Sequence, residues 1–228
     1  MSERSYRYEQ KYLISRQAAV LLKYRLASVM DVDPHAAGGS YHIRSLYFDD
    51  AAQSAFLDKV NGVDERSKFR IRHYNFDPSM IRLEKKEKNG FLSRITSAQL
   101  DADTARLLAS KELLSPLITD NPLIRELLTL REATLLRPIV YVDYDRIPFV
   151  CSQSNTRITI DSNIAGAVAS MNIFDRTHTM LPAMPEDFAI LEVKYDEQLP
   201  SHLLWLLEDV PMQVQALSKY CLCLSTAI

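Results

Sequence analysis

The chain has 228 residues, of which 47% are hydrophobic and 25% are charged, so it is long enough to bury a sizeable core. Its formal net charge of −2 excludes a protein that is basic overall and binds nucleic acid through bulk charge. Its three cysteines (Cys151, Cys221, Cys223) provide no disulfide framework, and no apolar run of about 18 residues predicts a transmembrane helix.

These features predict a soluble, cytoplasmic protein that has no signal peptide and does not insert into a membrane by itself. The polar breaks at residues 33–40 and 181–187 are too short to be domain linkers. We therefore expect a single domain over residues 1–228.

The N-terminal quarter of the chain alternates strand patterns with helix patterns. Residues 5–14 alternate charged with apolar side chains, which predicts a β-strand. The charged side chains of this strand share one face and are Arg7, Glu9 and Lys11. Ser15 is a suitable N-cap for the amphipathic helix that follows. A strand at residues 41–48 comes next, and Asp49 is predicted to cap a short helix after it.

Residues 66–94 carry the most distinctive pattern in the chain. Asp77-Pro78-Ser79 is typical of a turn, so the strands on either side form a hairpin. The cationic face of the first strand consists of Arg66, Lys68, Arg70 and Arg72. The matching face of the second strand consists of Arg82, Glu84, Lys86 and Lys88. Because unpaired buried charges are costly, this surface either contacts bulk water or lines a wet cavity that binds a polyanion.

The rest of the chain repeats this division into a charged and an apolar face. Further strands are predicted at residues 91–95, 138–149, 156–160 and 189–195. Further helices are predicted at residues 97–110, 121–133, 200–208 and from about residue 215 onward. The charged faces of the later strands carry Arg146, Arg157, Asp161, Glu192 and Lys194. Asp161 is predicted either to bind a metal ion or to pair with a neighbouring arginine.

Amphipathic helices between such strands can cover the apolar faces from outside. We therefore predict an α+β fold in which about eight antiparallel strands close into a barrel, apolar outside under the helices and charged inside. Cations packed inside a tunnel repel one another at reduced dielectric, so the interior needs water, anions or metal. Polyphosphate is the natural guest, because Arg and Lys match phosphate oxygens.

Seven short motifs, in the expected order, resemble those of the triphosphate tunnel metalloenzymes of the CYTH-like superfamily. Within that superfamily the chain is most similar to the polyphosphate polymerase (VTC) domain. The motifs are Tyr8-Glu9-Gln10-Lys11-Tyr12, Ser67-Lys68-Phe69-Arg70-Ile71-Arg72-His73-Tyr74, Leu83-Glu84-Lys85-Lys86, Tyr144-Asp145-Arg146, Arg157-Ile158-Thr159-Ile160-Asp161, Leu191-Glu192-Val193-Lys194 and Ser218-Lys219-Tyr220.

The resemblance implies roles for individual residues. The cations that would grip phosphate are Lys11, Arg70, Arg72, Lys86, Arg146, Arg157 and Lys219. Glu192 would bind a divalent metal ion, Mn²⁺ or Mg²⁺. Inward alternation adds Lys68 and Lys194 to the phosphate-binding lining and Glu9 and Glu84 to the metal-binding carboxylates. The residues expected to take part in catalysis are Arg70, Arg72, Lys86, Arg157 and Glu192.

Two positions depart from the resemblance. The classical triphosphatase branch has two alternating glutamates before its lysine, and Arg7 stands at the first of these places. This favours the polymerase-like branch. That branch usually has a lysine before the Ser-Arg pair of the third strand, where this chain has Leu92. Arg94 is predicted to substitute for it in part and to bind phosphate.

The resemblance implies a phosphotransferase that moves the γ-phosphoryl group of ATP onto phosphate or polyphosphate. Two alternatives remain open at this point: a metal-dependent hydrolase of tripolyphosphate or nucleoside triphosphates, and a non-catalytic polyphosphate-binding module. Nucleic acid is not an expected partner, because the cations alternate inward and lack an exposed aromatic platform. Coupling of synthesis to transport would need a membrane or regulatory partner protein.

Overall fold

The computed structural model describes residues 2–3, 5–36, 38–111, 117–169 and 172–227. Within these ranges the strands are β1 (Ser2–Glu3), β2 (Arg7–Ser15), β3 (Asp31–Val32), β4 (Tyr41–Asp49), β5 (Arg66–Tyr74), β6 (Ile81–Asn89), β7 (Leu92–Leu100), β8 (Arg137–Cys151), β9 (Thr156–Val168), β10 (Leu181–Pro182), β11 (Phe188–Tyr195) and β12 (Met212–Val214). The helices are α1 (Arg16–Ala27), α2 (Ser54–Val60), α3 (Ala102–Ala109), α4 (Pro122–Thr134), α5 (Ser201–Glu208) and α6 (Lys219–Ala227).

Eight of the strands close into an antiparallel barrel. Their order around the barrel is β7, β6, β5, β4, β8, β9, β11 and β2. The barrel closes where β2 pairs with β7, through Arg7 opposite Ser93 and Tyr8 opposite Leu92. The shorter strands extend this sheet, and the helices lie around it. The predicted α+β fold with a closed barrel is confirmed.

The hydrophobic core lies outside the barrel, between the sheet and the helices. Phe69 and Ile71 of β5 belong to a buried apolar cluster that also contains Leu108 of α3 and Leu127 of α4. A second cluster joins β9 and β11 to α1 and α5, and a third joins β4, β8 and β9 to α6. Burial of these apolar faces leaves the opposite, charged faces of the same strands to line the barrel interior.

Two of the predicted helix starts show how local chemistry sets the ends of elements. Ser15 caps α1 as predicted, because its hydroxyl accepts a hydrogen bond from the Ala18 amide at 3.1 Å. Asp49 accepts hydrogen bonds from the Ala55 and Phe56 amides at 2.9 and 3.1 Å, although α2 itself begins only at Ser54.

The helix start predicted at residue 97 is wrong. Ser97 pairs with Glu84 in the sheet, so β7 continues to Leu100. α3 then begins after Asp101, whose carboxylate accepts from the Thr104 amide at 2.8 Å. The competing signal was an equally good N-cap residue four positions further on.

No helix within the described ranges combines the length and the apolar character needed to cross a lipid bilayer. The cytoplasmic location and the single-domain boundaries at residues 1–228 stay predictions.

Helix α6 approaches the barrel closely at Gly166 of β9. A Cβ atom at this position would lie 2.5 Å from the Cβ of Cys223 and 3.0 Å from its Cα, in the middle of α6. We expect Gly166→Ala to lower the free energy of unfolding by about 1–3 kcal/mol, because the helix must move away from the sheet. Urea denaturation measures this change. Gly38→Ala is the control, since no atom lies within 4 Å of its Cβ position, and equal midpoints for the two variants would contradict the packing described.

Candidate functional site

The inner surface of the barrel, called the tunnel below, gathers nearly all the predicted phosphate-binding cations. The residues from the prediction that line it are Lys11, Lys68, Arg70, Arg72, Lys86, Arg146, Arg157, Lys194 and Lys219. They come from β2, β5, β6, β8, β9, β11 and α6. The alternation of side chains along each strand brings them together, since residues i and i+2 of a strand face the same way.

A cluster of carboxylates and lysines joins β2, β6 and β11 inside the tunnel. The Glu9 carboxylate contacts the Lys86 ammonium at 2.6 Å, Lys194 at 3.3 Å and Lys11 at 3.4 Å. Glu192 contacts Lys194 at 3.0 Å and Lys11 at 3.5 Å. The two carboxylates therefore share two ammonium partners and lie close to each other.

Both carboxylates are held in the ionised form. Burial alone raises the pKa of Glu9, but the ammonium groups of Lys86 and Lys194 outweigh it and hold this pKa well below its ordinary value. Burial likewise raises the pKa of Glu192, and Lys194 and Lys11 bring it well below its ordinary value. The site therefore presents two anionic oxygen ligands at neutral pH.

Glu9 and Glu192 fit a hard divalent cation that takes only part of its ligands from the protein. Among the residues that the structure describes, no three His, Cys, Asp or Glu side chains are grouped for metal binding. Mg²⁺ usually keeps several waters and binds through one or two carboxylates plus substrate phosphates. Lys11 and Lys194 each contact one oxygen of the Glu192 carboxylate. A metal ion that binds this carboxylate would therefore have to displace or repel the two ammonium groups.

The third predicted metal ligand, Glu84, is engaged by arginines. Its carboxylate binds Arg70 at 2.6 Å and lies 3.7 Å from Arg72. Tyrosine and serine hydroxyls hold the rest of these guanidinium groups: Arg70 donates to the Tyr47 hydroxyl at 2.8 Å, and Arg72 donates to Ser45 and Tyr144. Glu84 thus fixes the direction of two phosphate-binding candidates, and its role as a metal ligand stays a prediction.

Asp161 pairs with cations. Arg146 forms a bidentate pair with it at 2.6 and 2.7 Å, and the Lys219 ammonium lies 2.5 Å from its second oxygen. Two roles were predicted for Asp161, and the one that the structure shows is pairing with an arginine. Since α6 carries Lys219, this contact also ties the C-terminal helix to the barrel interior.

The two ends of the tunnel differ in chemistry. Strand β5 runs along the whole tunnel. Arg66 lies at the first end of the tunnel, Arg70 at its centre and Tyr74 at its second end. The basic mouth is the end formed by Lys59, Arg66, Lys68 and Lys88. The turn mouth is the end beside the β5–β6 turn and is formed by Asp33, Tyr41, Tyr74, Asp77, Met80, Arg82 and Arg157.

Arg94 is a correction to the predicted site. It lies on the outer surface of the barrel, where its guanidinium pairs with Glu87 at 3.0 Å and covers the Tyr6 ring. Its neighbour Ser93 faces inward and donates to Glu9 at 3.0 Å. The expectation that Arg94 reaches the tunnel is wrong, because period two makes either Ser93 or Arg94 inward but not both.

Sequence reasoning missed several tunnel residues that are not cations. They are Asp33, Tyr41, Ser45, Tyr47, Tyr74, Ser97 and Tyr144. Tyr41, Ser45 and Tyr47 recur with even spacing on β4, which is the signal that could have found them. The nearby guanidinium of Arg70 and ammonium of Lys68 outweigh burial and lower the pKa of Tyr47 to about 8.

Comparison with known proteins gives a family and a fold. The family model described as the VTC domain matches residues 6–228. A solved structure from Hippeastrum, described as a candidate adenylyl cyclase with a dominant triphosphatase activity, is 15% identical to this chain with a TM-score of 0.55. The match covers 98% of this chain and 96% of the Hippeastrum chain. A candidate adenylate cyclase from Bacillus halodurans is 15% identical with a TM-score of 0.50, covering 92% and 89%. No curated protein matches.

The Glu84 pairing predicts acid sensitivity. Burial raises the pKa of Glu84, but Arg70 and Arg72 together lower it from 4.5 to about 2. A carboxyl whose pKa is lower in the folded state stabilises the fold at pH values above its pKa in the unfolded chain. This stabilisation is about 3 kcal/mol, and it is lost as the pH falls from 4.5 through about 2. We expect Glu84→Gln to lower the free energy of unfolding at pH 7 by about this amount and to flatten its acid dependence.

Urea denaturation in phosphate-free buffer at pH 7, 4.5 and 3 tests this prediction. The control is Glu132→Gln, because Glu132 is exposed on α4. Parallel acid profiles for the wild type and Glu84→Gln would contradict the assigned pairing.

Proposed function

Because the chain belongs to the VTC domain family, we propose that its tunnel transfers the γ-phosphoryl group of ATP to inorganic phosphate or to a polyphosphate end. Residues 1–228 then act as one domain, with Mn²⁺ or Mg²⁺ as cofactor and no nucleic acid as partner. A membrane or regulatory partner protein would couple synthesis to transport.

The observation that carries this function is the convergence of buried cations on one channel beside two ionised carboxylates. Arg70 and Arg72 are 7% and 6% exposed, so their charges act in a poorly screened environment. Each is oriented by at least one hydroxyl or carboxylate partner. Such pre-oriented guanidinium groups match the oxygens of a triphosphate better than mobile surface arginines do.

In phosphoryl transfer the protein itself takes part in little covalent chemistry. The transition state is loose, its charge lies on the oxygens of the transferred group, and catalysis comes mainly from positioning and electrostatic stabilisation. Arg70, Arg72, Lys86 and Arg157 would supply the positive charge. An attacking phosphate is already anionic, so no general base is required for chain growth.

Glu192, with Glu9 beside it, would hold the divalent metal ion. When bound, the ion supplies positive charge that neutralises phosphate oxygens. Lys11 and Lys194 would then be released from the carboxylates, and their ammonium groups would become available to the substrate. The protein thus holds cations that are occupied in the free state and can be redirected by metal and triphosphate together.

The main experiment compares an arginine of β5 that faces the tunnel with an arginine of β7 that faces outward. Purified protein is incubated with ATP, phosphate and Mn²⁺, and the products are resolved by chain length. We expect long-chain polyphosphate from the wild type, a fall of about 10²–10³ in kcat for Arg72→Ala, and near wild-type turnover for the outward-facing control Arg94→Ala. Free phosphate without chains would favour the hydrolase. Binding without turnover would favour the polyphosphate-binding module.

A second prediction concerns the metal. Glu192→Gln keeps the size of the side chain and removes one of the two ionised carboxylates, so the affinity for Mn²⁺ should fall at least tenfold. Titration of Mn²⁺ by electron paramagnetic resonance without ATP, which would itself bind the ion, measures this affinity directly. The control is Glu208→Gln on the exposed side of α5. Unchanged Mn²⁺ affinity in Glu192→Gln would remove this residue from the metal site.

A further inference from the structure

The two tunnel mouths are suited to different parts of a nucleoside triphosphate. The cations of the basic mouth are Lys59, Arg66, Lys68 and Lys88, and the described residues that line it include no aromatic ring. The rings of Tyr47 and Tyr220 lie behind this lining, each with its centroid 5.3 Å from the Lys68 ammonium. Burial and the neighbouring cations Arg66 and Lys88 lower the pKa of Lys59, which shows that positive charge is in excess there. This end of the tunnel fits phosphate groups, and the Lys68 ammonium occupies the ring faces on which a base would otherwise stack.

The turn mouth has the opposite character. Tyr41 and Tyr74 pack edge to face with their ring centroids 5.4 Å apart, and Tyr74 is only half-buried. Met80 lies on the same cavity wall, and Asp77 stands exposed at its rim. Aromatic faces bind bases of any sequence by stacking, and a carboxylate accepts hydrogen bonds from neutral donors but repels phosphate.

Arg157 connects this mouth to the tunnel centre. Its guanidinium donates to Asp33 and to the Tyr41 hydroxyl, each at 2.8 Å. It lines both the turn mouth and the tunnel centre, together with Tyr74 and Arg82. A ligand with its phosphates among Arg70 and Arg72 can therefore lie beside Arg157 while its uncharged part packs against Tyr74.

We propose that the turn mouth is the nucleoside subsite, in which the base packs on Tyr74 while the triphosphate extends inward. This inference rests on the proposed function. It adds the direction in which ATP enters the tunnel and the residue, Tyr74, that distinguishes ATP from inorganic tripolyphosphate. Asp77 is placed to accept a hydrogen bond from the nucleoside. The basic mouth then remains for the phosphate acceptor.

The test compares ATP with inorganic tripolyphosphate by isothermal titration in EDTA, where metal-dependent turnover is absent. For Tyr74→Ala we expect Kd for ATP to rise about tenfold, as for loss of one stacked base, and Kd for tripolyphosphate to change less than twofold. Tyr74→Phe should bind ATP like the wild type. The matched control is Tyr24→Ala, since Tyr24 is 72% exposed on α1.

Each other outcome overturns the inference. Equal weakening of both ligands would place Tyr74 in the phosphate site, and no change in either would remove it from the ligand. Arg72→Ala separates this failure from that of the proposed function, because it should weaken both ligands wherever the base lies.

Photolabelling with 8-azido-ATP gives a second measurement that needs no variant. Modified peptides should come from residues 33–41 or 74–82. Labelling of residues 59–68 instead would put the nucleoside at the basic mouth and reverse the proposed direction.

Discussion

The structure depends on one electrostatic constraint: like charges that face one another inside a narrow barrel must be compensated. An isolated buried cation costs several kcal/mol, and repulsion between neighbours adds to this cost. The protein meets the constraint with a few carboxylates that each serve more than one cation. Glu9 contacts three lysines, and Asp161 joins Arg146 to Lys219. The remaining positive charge is the charge that an anionic ligand would neutralise.

This compensation also explains why the core lies outside the barrel. Because charged side chains fill the barrel interior, the sheet can gain hydrophobic stabilisation only from its outer face. The helices that bury the apolar face of the strands there are α1, α3, α4, α5 and α6. α6 has a double role, since Tyr220 and Leu224 pack on the sheet while Lys219 reaches Asp161 inside. Loss of helix packing and loss of tunnel geometry are therefore coupled at this helix.

The sequence was sufficient for the faces of strands, because alternation with period two is a local property. It put Arg70, Arg72, Arg157 and Glu192 on the inner surface, as the structure has them. The sequence-based prediction failed where the face that a side chain takes depends on pairing with a strand that is distant in the sequence. Arg94 follows the Gly90 turn, and only the pairing of Ser93 with Arg7 and Lys88 decides which neighbour faces inward. The hydroxyl partners on β4 were also missed, since a tyrosine on a strand is as typical of a core as of a site.

Both departures from the resemblance fall at the seam where β2 meets β7. Arg7 replaces a glutamate and donates to the Asp196 carboxylate at 2.8 Å, while Leu92 pairs with Tyr8 on the other side of the seam. A carboxylate at position 7 would add a third anionic ligand two residues from Glu9 on the same face. With an arginine there that pairs with Asp196, the seam adds no carboxylate to the tunnel lining and leaves Glu9 and Glu192 as the adjacent carboxylates. We expect a lining with only two adjacent carboxylates to bind a metal ion weakly by itself and best together with a polyphosphate, because the missing ligands would come from the substrate.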